Sequence, residues 1–345
     1  MTIEDVVLAD PGPGEVKLRI GAVAVCHSDI SYAEGAWGGP LPAVFGHEAA
    51  GVVEAVGEGV HDIAPGQHVV VTFMRHCGHC PRCAAGRPAI CDAPGAAAPL
   101  SLPDGTPVNH GLDTGAFAEK AVVHHSQVVP IGDDVPLEIA ALLGCGVLTG
   151  VGAVVHSAGL RPGESVVVIG AGGVGLNAIQ GAVIAGASQV VAVDVGAEKL
   201  EDARAFGATA GVLATEDKPH RKVKALLGGR GADHVIVTTG AIAAFRSAPR
   251  FGAKGAKIVV VGMPPSGEKA EYEPVVLAAS GQSIIGSRMG DVVPRRDIPW
   301  LISLWRQGRL DLDSLVSGRF ALEEINEAIA ATGAGKARRG LVLMR

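Results

Sequence analysis

Ser165-Val166-Val167-Val168-Ile169-Gly170-Ala171-Gly172-Gly173-Val174-Gly175 is the stretch on which the fold turns. Its first five residues are an unbroken, mostly β-branched run, the pattern of a strand buried on both faces in a parallel sheet. The run leads directly into G-x-G-x-x-G. Gly170 permits the turn, Gly172 lets backbone amides approach a pyrophosphate, and Gly175 lets the following helix close on the strand. A second apolar run, 189–193, ends at Asp194, at about the 20-residue distance where a carboxylate reaches the ribose hydroxyls of a dinucleotide. That carboxylate repels a 2′-phosphate, so the pattern favours NAD over NADP. Residues 165–193 carry no charged side chain and exceed the roughly 20 residues a bilayer requires. The glycines interrupt them, however, and a strand, turn and helix fit better than a membrane span.

Outward from this unit the pattern differs on the two sides. Downstream, the apolar runs 234–237 and 257–261 alternate with helix-like stretches such as 197–206, which predicts a doubly wound parallel sheet. Upstream, the short β-branched runs 16–20, 51–56, 68–71 and 120–123 are separated by Gly and Pro, which predicts a mostly-β domain with loops. Residues 93–115, rich in Ala, Pro and Gly, read as a long surface loop. After 288–298 the pattern shifts again, to amphipathic helices at 300–307 and 322–331 and a closing segment at 340–344.

The length of 345 residues suits two domains at about 150 residues each. Hydrophobic residues at 48% and charged residues at 19% describe a globular chain, and with aromatics at 3% the core must be aliphatic. The 49 glycines have no G-X-Y period, which excludes collagen. A formal charge of −6 with no Lys or Arg run leaves no footprint for nucleic acid or anionic lipid. Residues 1–10 show no basic segment followed by an apolar one, so a cytoplasmic location is expected.

The cysteines carry the other chemistry. Cys77, Cys80, Cys83 and Cys91 form C-x2-C-x2-C-x7-C, a spacing that lets four thiolates converge on one tetrahedral zinc. Four sulfurs close the shell, so this site should be structural; an iron–sulfur centre uses the same donors. His76 and His79 read as solvated neighbours of that shell. Cys26 and Cys145 stand apart, in Cys26-His27-Ser28-Asp29 and Gly144-Cys145-Gly146, and Gly46-His47-Glu48 offers an imidazole. Two Cys and one His leave a fourth tetrahedral position open, as a catalytic zinc needs.

Taken in order, Cys26-x-Ser28-Asp29, Gly46-His47-Glu48, the four-cysteine lobe, Gly144-Cys145-Gly146-Val147-Leu148-Thr149-Gly150, the glycine loop and Asp194 resemble the zinc-containing alcohol dehydrogenases of the medium-chain dehydrogenase family over nearly the whole chain. The resemblance implies a GroES-like, mostly-β catalytic domain at 1–147, a Rossmann NAD-binding domain at 148–287, and a return to the catalytic domain at 288–345, with the catalytic site in the cleft between them. It implies two Zn2+ per chain, one held by Cys26, His47 and Cys145 and one in the lobe, together with NAD. Ser28 resembles the hydroxyl that shares the substrate proton, Asp29 the partner of His47, and Glu48 the carboxylate behind the metal. Thr149 resembles a nicotinamide contact and Lys199 a ribose contact; Gly170, Gly172, Gly173, Val174 and Gly175 form the loop, and Arg339 resembles a pyrophosphate contact. Trp37, Phe73, Phe117 and Met263 fall where the family lines its substrate pocket or nicotinamide face, positions that ordinary core packing also explains.

The implied reaction is reversible hydride transfer between an alcohol and NAD, giving an aldehyde or ketone, with zinc polarising the substrate oxygen. Polyols, amino alcohols and the thiol adduct of formaldehyde are alternative substrates, and a non-catalytic zinc- or nucleotide-binding protein is the alternative from another class. A homodimer or homotetramer is implied, formed through the edge strand around 257–287. Three departures stand out. The chain opens Met1-Thr2-Ile3-Glu4-Asp5 where the family usually has an extra strand, which implies a shorter first sheet or a different start. Ser31 replaces a proton-relaying His, and His27 replaces a pyrophosphate-binding Arg.

Overall fold

The computed structural model describes every residue except Pro94, Ala96, Lys336 and Arg345. It divides into two compact units, one comprising Met1–Gly146, Val293–Gln307 and Leu312–Arg345, the other Val147–Val292 and Gly308–Asp311.

The first unit is built on a seven-stranded sheet running Val316–Ala321, Arg339–Leu343, Glu15–Ala24, Glu48–Val56, His68–Val71 and Val128–Pro130, with Lys120–His124 also paired to Glu15–Ala24. The pairs from Arg339–Leu343 to Val128–Pro130 are antiparallel. Antiparallel pairing is what runs of β-branched residues punctuated by Gly and Pro are suited to. Alternate residues of these strands, Val16, Leu18, Ile20, Val53, Val69 and Val71, meet in one aliphatic core with Ile325 and Val342. The final strand thus enters the first unit's sheet by pairing Leu341 with Ala24.

A smaller four-stranded sheet joins Val7–Leu8, Leu100–Ser101, Pro107–His110 and Ala43–Val44. Two of these strands lie inside the stretch expected to be a surface loop. They are two and four residues long, too short for alternation to show against an Ala, Pro and Gly background.

The second unit is a six-stranded, all-parallel sheet in the order Ala210–Leu213, Gln189–Asp194, Ser165–Ile169, Ala232–Val237, Gly252–Val260 and Ser283–Gly286. The chain winds outward from the central strand in one direction, then crosses back and winds in the other. The strand order therefore reverses beside Ser165–Ile169, the kind of switch point at whose carboxyl ends open α/β sheets bind ligands. Val166, Val167 and Val168 are fully buried, as a strand covered on both faces requires.

The chain enters the first unit again at Val293, somewhat beyond the expected 288, because Met289 and Gly290 are buried in the second unit: a Cβ on Gly290 would lie 2.7 Å from Gly152 Cα. The helix expected at 300–307 starts earlier, as Pro294–Arg306, with proline at its first position. That expected at 322–331 is a 3-10 turn, Leu322–Glu324, followed by the helix Ile325–Gly333. Among the described residues no helix is long and apolar enough to cross a membrane.

Candidate metal centres and nucleotide loop

Three segments converge in the first unit. The strand Glu15–Ala24 runs out through Val25, whose N–H donates to Gly340 O at 2.9 Å, into Cys26, the extended N-cap of the helix His27–Ala33. Gly46 sits at φ +93°, and a Cβ there would lie 2.6 Å from Phe117 N, so only glycine lets the chain turn into His47 and Glu48. Gly144 lies against the neighbouring strands: a Cβ would be 2.7 Å from Val71 O and 2.8 Å from Glu48 Cα. That close approach delivers Cys145. Ligand atoms of Cys26, His47, Glu48 and Cys145 lie within 4.8 Å of one another, and all four residues are buried.

Asp29, in the first turn of the helix and fully buried, fixes the imidazole. Its Oδ1 accepts from Gly46 N at 2.9 Å and stands 2.9 Å from His47 Nδ1. With a single ring proton on Nδ1, Nε2 would present a lone pair to a metal, and that atom is buried without a partner. The Phe73 ring stands edge-on to the imidazole at 5.4 Å. Burial opposes charge on His47, but Asp29 outweighs it and holds the imidazole well above its ordinary pKa. The hydrogen bond from Cys145 pulls the Cys26 thiol well down, and the same bond with burial pushes Cys145 well up. Behind these groups Arg339 Nη1 donates to Glu48 Oε1 at 3.1 Å. Burial raises the Glu48 acid to about 8 against the pull of Arg339. Burial also opposes charge on Arg339, but Glu48 and the two thiols keep it above the usual arginine value.

This set passes a chemical test for a metal. An unpaired buried polar atom costs about 1–3 kcal/mol, and His47 Nε2 and Glu48 Oε2 are two such atoms beside a pair of thiols. Two sulfurs and an imidazole nitrogen are zinc donors, and two thiolates would neutralise a divalent cation while Arg339 neutralises Glu48.

The second cluster is the Cys77, Cys80, Cys83 and Cys91 lobe. Sulfurs of Cys77 and Cys91 are 3.7 Å apart, and those of Cys80 and Cys91 3.9 Å, close to the ~3.8 Å edge of a tetrahedron with metal–sulfur bonds of about 2.3 Å. N–H groups of Cys80, Cys83 and Ala93 point at these sulfurs. N–H groups of Asp92 and Cys83 hold the Cys80 thiol down to about 6, while burial and Cys80 push Cys83 up to about 12. His76 and His79 turn their Nδ1 atoms to the backbone oxygens of Met74 and Cys77.

In the second unit the glycine loop leaves the carboxyl end of Ser165–Ile169 and opens the helix Gly173–Ile184. Gly170 has φ +98°, and a Cβ on Gly175 would fall 1.8 Å from Gly170 O, whereas one on Gly172 would meet nothing within 4 Å. Asp194 ends its strand and braces the loop: Oδ2 accepts from Ala171 N at 2.7 Å and Oδ1 from Gly196 N at 3.0 Å.

Residues 12–133 match the alcohol dehydrogenase GroES-like domain and residues 173–307 the zinc-binding dehydrogenase domain. The NDMA-dependent alcohol dehydrogenase of Amycolatopsis methanolica is 38% identical over 99% of this chain and 95% of its own length. The chain belongs to the zinc-containing alcohol dehydrogenases of the medium-chain dehydrogenase family. Alcohol dehydrogenase 1 of Pisum sativum is 35% identical over 100% of this chain and 94% of its own. The crystal structure of benzyl alcohol dehydrogenase from Acinetobacter calcoaceticus superposes with a TM-score of 0.92 at 31% identity, covering 99% of this chain and 94% of that one. This dehydrogenase is a zinc-dependent enzyme acting on alcohols, with a GroES-like and a Rossmann-type domain.

The other expected positions are distributed as follows. Ser28 is half-buried and His27 exposed at the start of the helix His27–Ala33. Trp37 stands edge-on to Tyr32 at 5.2 Å. Phe117 is part of the first unit's core. Thr149 is buried with Oγ1 donating to Met289 Sδ at 3.3 Å. Val174 and Lys199 are half-buried, on the helices Gly173–Ile184 and Ala197–Ala205, and Met263 is 61% exposed. Arg339, expected at a pyrophosphate, lies against Glu48. Its Nη2 occupies the space a Cβ on Gly146 would need, the two being 1.4 Å apart. That pairing and the Thr149–Met289 contact were not legible in the sequence, since each joins residues far apart in the chain. The glycine at 146 was the trace of the first.

Proposed function

We propose that this enzyme oxidises a small alcohol to its aldehyde or ketone, and runs in reverse, with NAD as the hydride acceptor. Cys26, His47 and Cys145 would hold the catalytic zinc, and Cys77, Cys80, Cys83 and Cys91 a structural one. The observation that carries the reading is the fully buried, unpartnered His47 Nε2 beside two thiols and a carboxylate. Zinc there supplies Lewis acidity to a substrate oxygen, and NAD supplies the hydride-accepting carbon.

The remaining work belongs to side chains. Asp29 orients the imidazole and keeps its lone pair facing the donors. Glu48 and Arg339 surround them with a paired charge. Ser28, two residues after a metal ligand, takes the proton from the substrate hydroxyl and passes it on. Gly170, Gly172, Gly173, Val174 and Gly175 would receive the pyrophosphate, Asp194 and Lys199 the adenosine ribose, and Thr149 the nicotinamide. Asp194 already accepts one N–H on each oxygen, and each oxygen retains a lone pair for a ribose hydroxyl. Arg339 would meet the pyrophosphate only if its guanidinium serves both Glu48 and the cofactor. His27 stands exposed where relatives place a cation for the same group.

One relative is named for NDMA dependence, which favours as second reading an enzyme that binds the dinucleotide but depends on NDMA for turnover. Two measurements separate the readings. NADH binding is followed by fluorescence, and turnover of primary alcohols by absorbance with NAD or NADP. Steady NADH release with NAD, weakened by Asp194→Ser, supports the proposal. Tight NADH binding without NAD turnover supports the second reading, and no dinucleotide binding overturns both. Cysteines kept as thiolates fit a reducing compartment, the cytoplasm. Self-association is proposed through the edge strand Ser283–Gly286, where Ile284 is 40% exposed, and Val275 and Val276 of the preceding helix are exposed as well.

A further inference from the structure

On the amino edge of the second unit's parallel sheet, a cavity of about 520 Å³ opens beside the helices Pro219–Leu226 and Pro274–Ser280 and the start of the strand Gly252–Val260. Its lining includes His220, Lys224, Arg230, Arg250 and Lys254, and no carboxylate. The four cations come from a helix, the loop after it and both sides of a strand start, and the His220 imidazole from the same helix as Lys224. Among the described residues, Lys224, Arg250 and Lys254 make no ion pair. Burial pushes the His220 imidazole below its ordinary pKa, and Arg250, Lys224, Arg221 and Lys218 push it further in the same direction. The wall is fixed: Gln282 Nε2 donates to the backbone oxygens of Pro249, Gly252 and Ala253 at 3.0, 3.3 and 3.1 Å. Gln282 Oε1 is buried without a partner and can accept from a ligand hydroxyl.

We propose that this cavity is a second anion site of the enzyme, binding a small molecule that carries two or three linked phosphoryl groups. A single anionic group engages few of four cations contributed by separate segments, whereas a chain of phosphates can engage several at once. The volume lies within the range of small-molecule pockets, about 300–1,000 Å³. The net charge of −6 does not fit a nucleic-acid backbone. The site is also separate from the glycine loop. That loop follows the carboxyl ends of the strands and the cavity lies at their amino ends, roughly 17–20 Å away along a strand of five or six residues.

The test is calorimetric titration of the purified, zinc-loaded enzyme with tripolyphosphate and with ATP, at ionic strength held constant with chloride, and with sulfate as a singly anionic-group control. Saturable binding of tripolyphosphate, at least about tenfold tighter than sulfate, is expected. Lys224→Ala combined with Arg250→Ala should weaken it at least tenfold with thermal stability unchanged, and Lys199→Ala, near the glycine loop, should leave it unchanged. Because Lys254 is exposed, Lys254→Ala should weaken binding several-fold even if the double variant folds poorly. ATP binding tighter than tripolyphosphate identifies a nucleotide source; equal affinity identifies polyphosphate itself. No saturable binding, equal affinity for sulfate, binding lost in Lys199→Ala, or binding untouched by Lys254→Ala and the double variant overturns the proposal.

Discussion

At the scale of single residues, the site divides labour between groups that hold and one that moves. Cys26 sits in a buried donor set and Cys80 in a surface lobe, so their losses should differ in kind. Cys26→Ser should release one zinc and abolish turnover in a folded protein, whereas Cys80→Ser should release the other and lower the melting temperature by several degrees. Metal analysis with thermal denaturation checks both, and one zinc in the wild type would contradict the two-site assignment. Ser28 and Ser31 share a helix but not a role. Ser28→Ala should cost on the order of 10²-fold in turnover, the scale of acid–base assistance, and Ser31→Ala little, since a hydroxyl at that position does not titrate near neutrality as a relaying imidazole would. Steady-state kinetics on zinc-checked variants would expose the reverse order.

At the scale of elements, the turn between the strand Ser165–Ile169 and the helix Gly173–Ile184 contains two glycines required for different reasons. A Cβ at position 175 would overlap the backbone oxygen of Gly170, 1.8 Å away, while one at 172 would project into open space. Gly175→Ala should therefore destabilise the protein by more than about 3 kcal/mol, since backbone must move to admit it. Gly172→Ala should leave the melting temperature unchanged and weaken dinucleotide binding at least about tenfold. Parallel denaturation and NADH titrations measure the two effects, and a Gly172→Ala enzyme with wild-type NADH affinity would show that the cofactor does not use this loop.

At the scale of the whole molecule, acid sensitivity should have an identifiable contributor. Burial, and then His125, Arg75 and His76, hold the His124 imidazole down to about 4. The unfolded chain takes up that proton near pH 6.5 and the folded chain does not. This contribution is therefore complete above pH 6.5 and is lost as pH falls toward 4. The interval would be worth about 3 kcal/mol for a fully buried group, and solvent screening reduces it to about 1 kcal/mol. His124→Asn should flatten the fall of melting temperature between pH 6.5 and 4; an unchanged slope would assign acid sensitivity elsewhere. Assembly belongs to this scale too. If copies pair through Ser283–Gly286, Ile284→Lys should halve the mass seen by sedimentation, and a wild-type monomer would remove that surface from consideration.

The sequence by itself determined what depends on neighbours along the chain. The parallel strand and glycine loop were legible because a buried strand must be continuously apolar and a phosphate-approaching turn must be glycine, and both requirements fall within eleven residues. The four-cysteine lobe was legible for the same reason: short spacers already bring the sulfurs together. Cys26, His47 and Cys145 could be joined only through resemblance, because their spacing along the chain carries no metal signature. Tertiary structure brought them together, through glycines at 46 and 144 that let separate strands approach within a Cβ's width. It also decided where Arg339 points, how Thr149 meets Met289, and that four scattered cations and an imidazole line one cavity. None of these contacts leaves a period or a spacing, since each depends on how distant segments pack and not on the order in which they are joined.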